Sequence, residues 1–267
     1  MALQEHDGTP SRVRVDEHGS YVRVVTIDNP PVNALDKAAY QDMLRAFEEI
    51  AVSPEVRAVV LTAAGRKAFC AGTDIRDFGH QHLDEPLEPI RHSKLVKSVF
   101  DAIWDCPVPV VACVNGPAMG AGVGLVSDWD VIIAADDAVL ALPEINVGVL
   151  GGARALARLV PQQRVRLMMY TGRRIPFTDL VAYGSVLATV PADDLLKAGL
   201  ELASEIAGKS PTAIRLAKKG LSHLEVSDLS PSDGYKYEQT LTEQLAHHPD
   251  AARAAAAFFE GKTAVFD

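Results

Sequence analysis

Residues 110–125 constrain the fold more than any other part of the chain, because they join a buried strand to a helix through small residues. Val110–Val114 is a short apolar run rich in β-branched side chains, which predicts a buried strand. An Asn-Gly-Pro turn follows, and glycines occupy positions 120, 122 and 124 where an apolar helix begins. A helix N-terminus exposes free backbone N–H groups and the positive end of the helix dipole. Such a turn binds an anion, either a phosphate or a developing oxyanion.

Nucleotide-binding motifs do not fit this turn. The dinucleotide pattern G-x-G-x-x-G starting at Gly120 would need a glycine where Leu125 stands. Asp136 and Asp137 lie nearer than the spacing of about 20 residues that is usual for a ribose-binding acid. The Gly-Lys-Ser/Thr ending of a P-loop is absent. An oxyanion hole is therefore the favoured interpretation, and it needs a second N–H donor from another loop.

A second loop of small residues is a natural source of that donor. Residues 57–62 predict another buried strand, and the loop after it contains Phe-Cys-Ala-Gly-Thr-Asp at positions 69–74. The carboxyl ends of parallel strands meet at one edge of a sheet, where the ligands of α/β proteins bind. We therefore expect the two loops to meet there.

Three motifs together resemble the crotonase family, the enoyl-CoA hydratases and isomerases. They are Lys-Ala-Phe-Cys-Ala-Gly-Thr-Asp at 67–74, Val-Asn-Gly-Pro-Ala-Met-Gly-Ala-Gly at 114–122 and Leu-Pro-Glu at 142–144. The resemblance runs from Tyr21 to the C-terminus and implies an α/β fold, the crotonase-like spiral of ββα units with a C-terminal helical trimerisation region. It also implies acyl-CoA substrates, with coenzyme A as part of the substrate and no permanently bound cofactor. A homotrimer or a hexamer (dimer of trimers) is the implied assembly.

The resemblance assigns catalytic roles to three positions. The backbone N–H groups of Thr73 and Ala121 would form an oxyanion hole that stabilises a thioester enolate. Glu144, in the Pro-Glu pair, would be the acid and base. Hydratases of this family carry another glutamate at the position of Gly124, which cannot exchange protons. A single carboxylate favours isomerase-like proton transfer between two carbons of the acyl group over hydration.

Other reactions, and another class of protein, stay open. Hydration, thioester hydrolysis or carbon–carbon cleavage would use another acid, and Asp128 lies one helical turn beyond the missing glutamate, on the same face. We interpret Asp128 mainly as the C-terminal acid of the short helix. Asp77, Asp84 and His92 are further candidates. A non-catalytic acyl-CoA binding protein is the alternative outside enzymes, although the retained Glu144 argues against it.

The resemblance also predicts which residues contact coenzyme A. Residues of the first loop would border the adenine or bind phosphate, and a C-terminal pair would reach the ligand of a neighbouring subunit. The predicted contacts are Ala71, Ile75, Lys67, Arg76, Gly120, Phe258 and Lys262. At the C-terminus the usual lysine of the family falls on Gly261 and its basic neighbour on Lys262. A local basic cluster would reconcile an anionic ligand with an acidic protein.

Composition excludes several classes of protein. The chain has 35 Asp and Glu residues and 26 Lys and Arg residues, which gives a net charge of −9. This charge argues against a nucleic-acid partner. The 3 cysteines lack a C-x-x-C spacing, and an odd number suits a reducing compartment. No apolar run reaches the about 18 residues of a membrane span, and the N-terminus is unlike a signal peptide. We therefore predict a cytoplasmic protein with no membrane partner. His80, His82 and His92 lack companions at ligand spacing, so no metal site is predicted.

The order of the elements predicts two regions. Strand patterns are confined to the first two-thirds of the chain, and helical patterns dominate from residue 161. This predicts an acyl-CoA-binding core in residues 1–200 and a helical oligomerisation region in 201–267. Residues 1–18 are expected to be a frayed tail before a strand at 21–27. Asp36 is the predicted N-cap of a helix that ends near residue 52, and residues 77–93 are expected to form a mobile loop.

Overall fold

The computed structural model describes residues 10–74, 76 and 88–266 of the chain. Within these residues the strands are β1 Val13–His18, β2 Val22–Ile27, β3 Ala58–Ala63, β4 Val110–Val114, β5 Ala118–Met119, β6 Val131–Ala135, β7 Val139–Ala141, β8 Ile175–Pro176 and β9 Ala188–Val190. The helices are α1 Lys37–Val52, α2 Glu88–Trp104, α3 Ala121–Ser127, α4 Ala153–Leu159, α5 Gln162–Thr171, α6 Phe177–Tyr183, α7 Ala192–Ala207, α8 Pro211–Glu225, α9 Pro231–Ala246 and α10 Pro249–Phe259. A 3-10 helix spans Pro143–Val147. The predicted α/β class is confirmed.

A six-stranded sheet with the order β1-β2-β3-β4-β6-β9 forms the centre of the fold. β1 is antiparallel to β2, whereas every other neighbouring pair in this sheet is parallel. β3 and β4 are buried along their whole length, as expected of parallel strands covered on both faces. Because β3 and β4 are adjacent and parallel, the loops that follow them leave the sheet at the same edge.

A three-stranded sheet with the order β5-β7-β8 ties those loops together. β5 pairs in parallel with β7, and an isolated bridge joins Cys70 of the first loop to Ala118 of β5. The Met119 N–H donates to the Cys70 carbonyl oxygen at 2.8 Å, and the Gly120 N–H donates to the Ala141 carbonyl oxygen at 3.0 Å. The first loop, the glycine turn and the strand before the Pro-Glu pair are therefore held in one hydrogen-bonded arrangement.

Two predictions about the chain before β4 are wrong. Residues 13–18, expected to belong to a frayed tail, form β1, because Val13 and Val15 alternate with polar residues and pair with Ile27 and Val25 of β2. Residues 88–93, expected to belong to a loop, are the first turns of α2. Residues 77–87 lie outside the described part of the chain. The cap of α1 is as predicted, since the Asp36 carboxylate accepts from the Ala39 N–H at 2.8 Å.

Helices make up nearly all of the chain after residue 190. α7 packs against β3, β4 and β6, and it spans the predicted boundary at residue 200. The division into a core and an oligomerisation region stays a prediction. Near the end of α10, Phe258 and Phe259 leave 79% and 86% of their surface exposed. Within the described residues, none of the helices combines the length and the apolar character that crossing a bilayer requires.

Candidate active site

Two backbone segments come into close contact where residues 71–73 meet residues 119–121. Gly72 has φ +95°, and a Cβ atom there would lie 3.0 Å from the Met119 carbonyl oxygen and 3.5 Å from the Ala121 nitrogen. Any larger residue would strain the backbone and force the segments apart. The expected meeting of the two loops is therefore confirmed.

The N–H group of Thr73 is directed away from the pairing that holds its loop. In the parallel bridge between Leu35 and Thr73, the Leu35 N–H donates to the Gly72 carbonyl oxygen at 2.8 Å and the Asp74 N–H donates to the Leu35 carbonyl oxygen at 3.0 Å. The N–H of Thr73 lies on the opposite side of the strand, and no backbone carbonyl of the described chain accepts from it. The Thr73 hydroxyl is 2.6 Å from that of buried Tyr40, which ties the loop to α1.

Ala121 supplies the second exposed donor. It is the first residue of α3, so its N–H has no acceptor within the helix. The preceding Gly120 has φ 55° and ψ −119°, a conformation that only glycine adopts without strain. Thr73 and Ala121 therefore present backbone N–H groups from two adjacent segments, which is the arrangement that an oxyanion hole requires.

Glu144 lies directly against this pair of segments. It is in the first turn of the 3-10 helix, immediately after β7 and Leu142. Its Oε1 atom is 2.5 Å from the point that a Cβ atom of Gly120 would occupy. Its Oε2 atom is buried and has no hydrogen-bond partner within the described residues. Burial raises the pKa of Glu144, while its own backbone N–H opposes that rise, and a raised pKa suits a group that exchanges protons near neutrality.

The position of the missing glutamate faces an aromatic ring. A Cβ atom at Gly124 would lie 2.8 Å from Cζ and 3.0 Å from Cε1 of Phe100, which projects from α2. Contacts this short mean that a side chain at position 124 would require the Phe100 ring to move. The Phe100 ring therefore occupies the space into which a side chain at position 124 would extend, and sequence reasoning had not selected Phe100 for a functional role.

All of these groups line one cavity of about 950 Å³. Its walls are largely apolar, with the two backbone donors and Glu144 in one region. The lining residues include Ala71, Gly72, Thr73, His92, Val96, Phe100, Trp104, Gly120, Ala121, Gly124, Asp128, Glu144, Val149, Leu150, Arg158 and Glu225. A cavity of this size, with few convergent polar groups, is typical of a site for a small organic substrate.

A charged group lies in another part of the same cavity. The Arg158 guanidinium donates through Nε and Nη2 to the Glu225 carboxylate, at 2.6 and 3.0 Å, and lies 4.6 Å from the Trp104 ring centroid. Asp128, the C-cap of α3, is beside them. Burial raises the pKa of Asp128 to about 6, although the charge of Arg158 lowers it. The C-terminal place of Asp128 on its helix is as predicted, whereas Arg158 and Glu225 were not foreseen.

The predicted coenzyme A contacts are distributed unevenly. Ala71 and Gly120 line the cavity. The Arg76 guanidinium is paired with the Asp74 carboxylate and is largely exposed, and this pairing holds the pKa of Asp74 below its usual range. Lys67, Phe258 and Lys262 are not among the described residues that line the cavity. Lys67 is exposed, and the Lys262 ammonium donates to the Glu260 carboxylate at 2.9 Å. Ile75, like the candidate acids Asp77 and Asp84, lies outside the described residues.

Comparison with known proteins identifies the relatives of this chain. Residues 17–267 match the sequence model described as enoyl-CoA hydratase/isomerase. Relatives from Rhodococcus jostii and Mycobacterium tuberculosis are both named (7aS)-7a-methyl-1,5-dioxo-2,3,5,6,7,7a-hexahydro-1H-indene-carboxyl-CoA hydrolase. They are 37% and 38% identical to this chain, covering 87% and 85% of it and 90% and 92% of their own length. Carnitinyl-CoA dehydratase of Salmonella typhi is 31% identical over 91% of this chain and 93% of its own.

Solved structures agree with the sequence comparison. The crystal structure of enoyl-CoA hydratase from Bacillus anthracis has a TM-score of 0.87 to this chain at 30% identity, covering 96% of this chain and 98% of that one. The predicted crotonase fold is confirmed by this likeness. The relatives carry out more than one reaction on CoA thioesters, as their names state. The chain therefore belongs to the enoyl-CoA hydratase/isomerase (crotonase) family and is an enzyme that acts on acyl-CoA.

Proposed function

We propose that this enzyme forms a thioester enolate from its acyl-CoA substrate, with Glu144 as the single carboxylate that moves protons. The observation that supports this proposal is the placing of Glu144 Oε1 against Gly120, next to the segments that present the Thr73 and Ala121 N–H groups. The thioester oxygen would accept from both N–H groups. Donors fixed in advance stabilise a developing oxyanion strongly, and the loss of one typically costs about 3–4 kcal/mol.

The reaction that uses these parts most simply is isomerisation of an enoyl-CoA. Glu144 takes a proton from the α-carbon of a 3-enoyl-CoA, and the electron pair moves onto the thioester oxygen as an enolate. Glu144 then returns the proton to the γ-carbon, and the double bond moves from the β,γ to the α,β position. One carboxylate is sufficient, because the proton that leaves and the proton that returns share a carrier.

Hydration of a 2-enoyl-CoA fits the site less well. Two carboxylates would position and split one water molecule, but position 124 is a glycine and the Phe100 ring occupies the space next to it. Asp128 is no substitute, since seven residues of helix separate it from Ala121, a distance of roughly 10 Å along the axis. An aromatic wall near the reacting carbons also keeps water away, which protects an enolate from side reactions.

Hydrolysis is the second candidate, because the two relatives at 37% and 38% identity are both named CoA hydrolases. Glu144 would take a proton from water, and the hydroxide would attack a carbonyl carbon β to the thioester. The carbon–carbon bond would break with its electron pair moving into the thioester enolate, and Glu144 would protonate the α-carbon. The same two N–H groups would stabilise the enolate as a leaving group.

The remaining predictions concern coenzyme A and assembly. We propose that Ala71 and Ile75 border the adenine and that Arg76 and Lys67 bind phosphate. Phe258 and Lys262 would contact the coenzyme A of a neighbouring subunit in a homotrimer or a dimer of trimers. The exposure of the Phe258 ring in the single chain is consistent with burial between subunits.

A product analysis in D2O tests both candidates together. The enzyme is incubated with 3-octenoyl-CoA, 2-octenoyl-CoA and 3-oxo-octanoyl-CoA, and the products and their deuterium content are measured. We expect 2-octenoyl-CoA from the first substrate if the enzyme isomerises, and a shortened acyl-CoA from the third if it hydrolyses. Either product should fall about 10²–10⁴-fold in Glu144→Gln, with exposed Glu201→Gln as the matched control. Product formation that is unchanged in Glu144→Gln would contradict the assignment, and fast hydration of 2-octenoyl-CoA would contradict the role given to Phe100.

A further inference from the structure

We infer that the end of the cavity formed by Asp128, Arg158, Glu225 and Trp104 binds a neutral oxygen substituent, a ketone or a hydroxyl, on the part of the acyl group farthest from the thioester. This polar end, as we call the four residues, makes the enzyme selective for oxygenated acyl groups over plain hydrocarbon chains. The inference rests on the proposed function, because it takes the thioester to lie at the Thr73 and Ala121 N–H groups.

The first step is the direction of the acyl group. α3 forms one wall of the cavity, with Ala121 at its first turn, Gly124 one turn on and Asp128 at its C-cap. Asp128 is roughly 10 Å beyond Ala121 along the helix axis. An acyl group that starts at the Ala121 N–H and follows this wall passes the Phe100 ring and reaches Asp128 several carbon atoms later. The polar end is therefore too distant for the chemistry at the α-carbon and suitably placed to contact the remote end of the acyl group.

The second step is the hydrogen-bonding capacity that the polar end leaves unused. Arg158 Nη1 is buried and has no hydrogen-bond partner within the described residues. Asp128 receives a long contact of 3.4 Å from the Ser127 hydroxyl, which donates also to the Gly124 carbonyl oxygen at 2.9 Å. Buried polar groups in folded proteins are nearly always paired, and an unpaired one costs about 1–3 kcal/mol. A substrate oxygen that reaches this place would recover part of that cost, whereas a methyl group would not.

The third step is charge, which decides what kind of oxygen is accepted. Arg158 is already paired through two nitrogens with Glu225, so the Asp128 carboxylate is not neutralised. The negative charge of Asp101 near Asp128 is paired with Lys97 of the cavity wall and does not change this balance. A carboxylate on the substrate would become the third carboxylate beside the single guanidinium of Arg158, with Asp128 and Glu225, which is unfavourable. A ketone can accept from the Arg158 guanidinium, and a hydroxyl can donate to Asp128, without adding charge.

Binding measurements with four thioesters of equal chain length test the inference. The probes are octanoyl-CoA, 7-oxo-octanoyl-CoA, 7-hydroxyoctanoyl-CoA and suberyl-CoA, titrated into the full-length protein by calorimetry. Octanoyl-CoA is the reference, so that a general loss of affinity in a variant cancels in the ratio. We expect the ketone or the hydroxyl probe to bind about tenfold more tightly than octanoyl-CoA, the gain of about one well-formed hydrogen bond to a charged group. Suberyl-CoA should bind no more tightly than octanoyl-CoA.

Two substitutions identify the groups responsible. Asp128→Leu should abolish the preference for the hydroxyl probe, and Arg158→Met should abolish the preference for the ketone probe. Exposed Asp136→Asn is the matched control and should keep both ratios. If Arg158→Met fails to fold because the Trp104 and Glu225 contacts are lost, Arg158→Lys keeps a positive charge and should lower the ketone ratio without abolishing it.

The outcomes separate this inference from the proposed function. Failure of all four thioesters to bind would overturn the proposed function itself. Equal binding of octanoyl-CoA and both neutral oxygenated probes would overturn only the inference. Tightest binding of suberyl-CoA would overturn the argument from charge. Preferences that persist in Asp128→Leu and Arg158→Met would show that other residues bind the substrate oxygen.

Discussion

The Oε1 atom of Glu144 lies 2.5 Å from the point at which a side chain on Gly120 would begin, so the glycine and the carboxylate depend on each other. Gly120→Ala should displace the carboxylate, and a shift of about 1 Å at a reacting group can lower the rate about 10²-fold. Steady-state turnover of the active substrate measures the effect. Gly184→Ala is the control, since Gly184 also has a positive φ (+80°) but nothing within 4 Å of a Cβ atom. Equal loss of activity in both variants would show that backbone strain alone is responsible.

Replacement of the carboxylate itself should separate activity from stability. Glu144→Gln should lower turnover about 10²–10⁴-fold, because the amide cannot carry a proton. Burial raises the pKa of Glu144, so ionisation of this carboxyl lowers the free energy of unfolding slightly. The effect is present at pH values above the ordinary pKa of a glutamate and absent below it. The variant should therefore unfold at the same or a higher temperature than the parent at pH 8. A lower melting temperature at pH 8 would indicate a structural role for the charge.

The Phe100 ring should prevent a glutamate placed at position 124 from giving this site hydratase activity. Gly124→Glu alone is expected to destabilise the protein by about 1–3 kcal/mol, because the new side chain overlaps the ring. The double variant Gly124→Glu, Phe100→Ala provides the room and should gain hydration of 2-octenoyl-CoA. Phe100→Ala alone is the control and should gain no hydration. Hydration by Gly124→Glu without the second change would show that the ring moves aside freely.

Asp128 should make the stability of the protein depend on pH. Burial raises the pKa of Asp128 to about 6 from 3.8, so its ionised form is disfavoured in the folded state. The resulting loss of stability is absent below pH 3.8, the ordinary pKa of the group, grows between pH 3.8 and about 6, and is complete at higher pH. Asp128→Asn should therefore raise the free energy of unfolding at pH 8, by on the order of 2 kcal/mol, and leave it unchanged near pH 3.5. Urea unfolding at both pH values checks this, and an equal effect at both would exclude ionisation as the cause.

The sequence predicted the parts of the site that depend on local chain geometry. The glycine turn, the loop at Thr73 and the Pro-Glu pair each follow a strand. The parallel order of β3 and β4 brings the first loop and the chain leading to the turn together, and the pairing of β5 with β7 adds the Pro-Glu pair. The polar end could not be predicted in this way. Arg158 and Glu225 are 67 residues apart, in α4 and at the end of α8, and only the tertiary fold brings them together. Phe100 had the apolar spacing of an ordinary core residue, and its place opposite Gly124 depends on how α2 lies against α3.

The same tertiary dependence explains the wrong predictions. Val13 and Val15 alternate with polar residues, but so short a pattern near a chain end does not distinguish a strand from a tail. Pairing with β2 makes this segment a strand, because the partner strand supplies the hydrogen bonds. The first turn of α2 lacked a clear apolar period, and α1 stabilises that helix by packing against it.

The close contact between position 124 and Phe100 also limits how such a site can change over generations. A glutamate acquired first would collide with the ring, and a ring lost first would leave an unfilled space that weakens packing. Each single step is therefore expected to weaken packing before the second step brings a benefit. A second carboxylate at position 124 would then require two changes together. We expect a change of substrate to be reached more easily at the remote end of the cavity, where Asp128 can be exchanged by itself because the Ser127 hydroxyl at 3.4 Å is its one side-chain hydrogen-bond contact within the described residues.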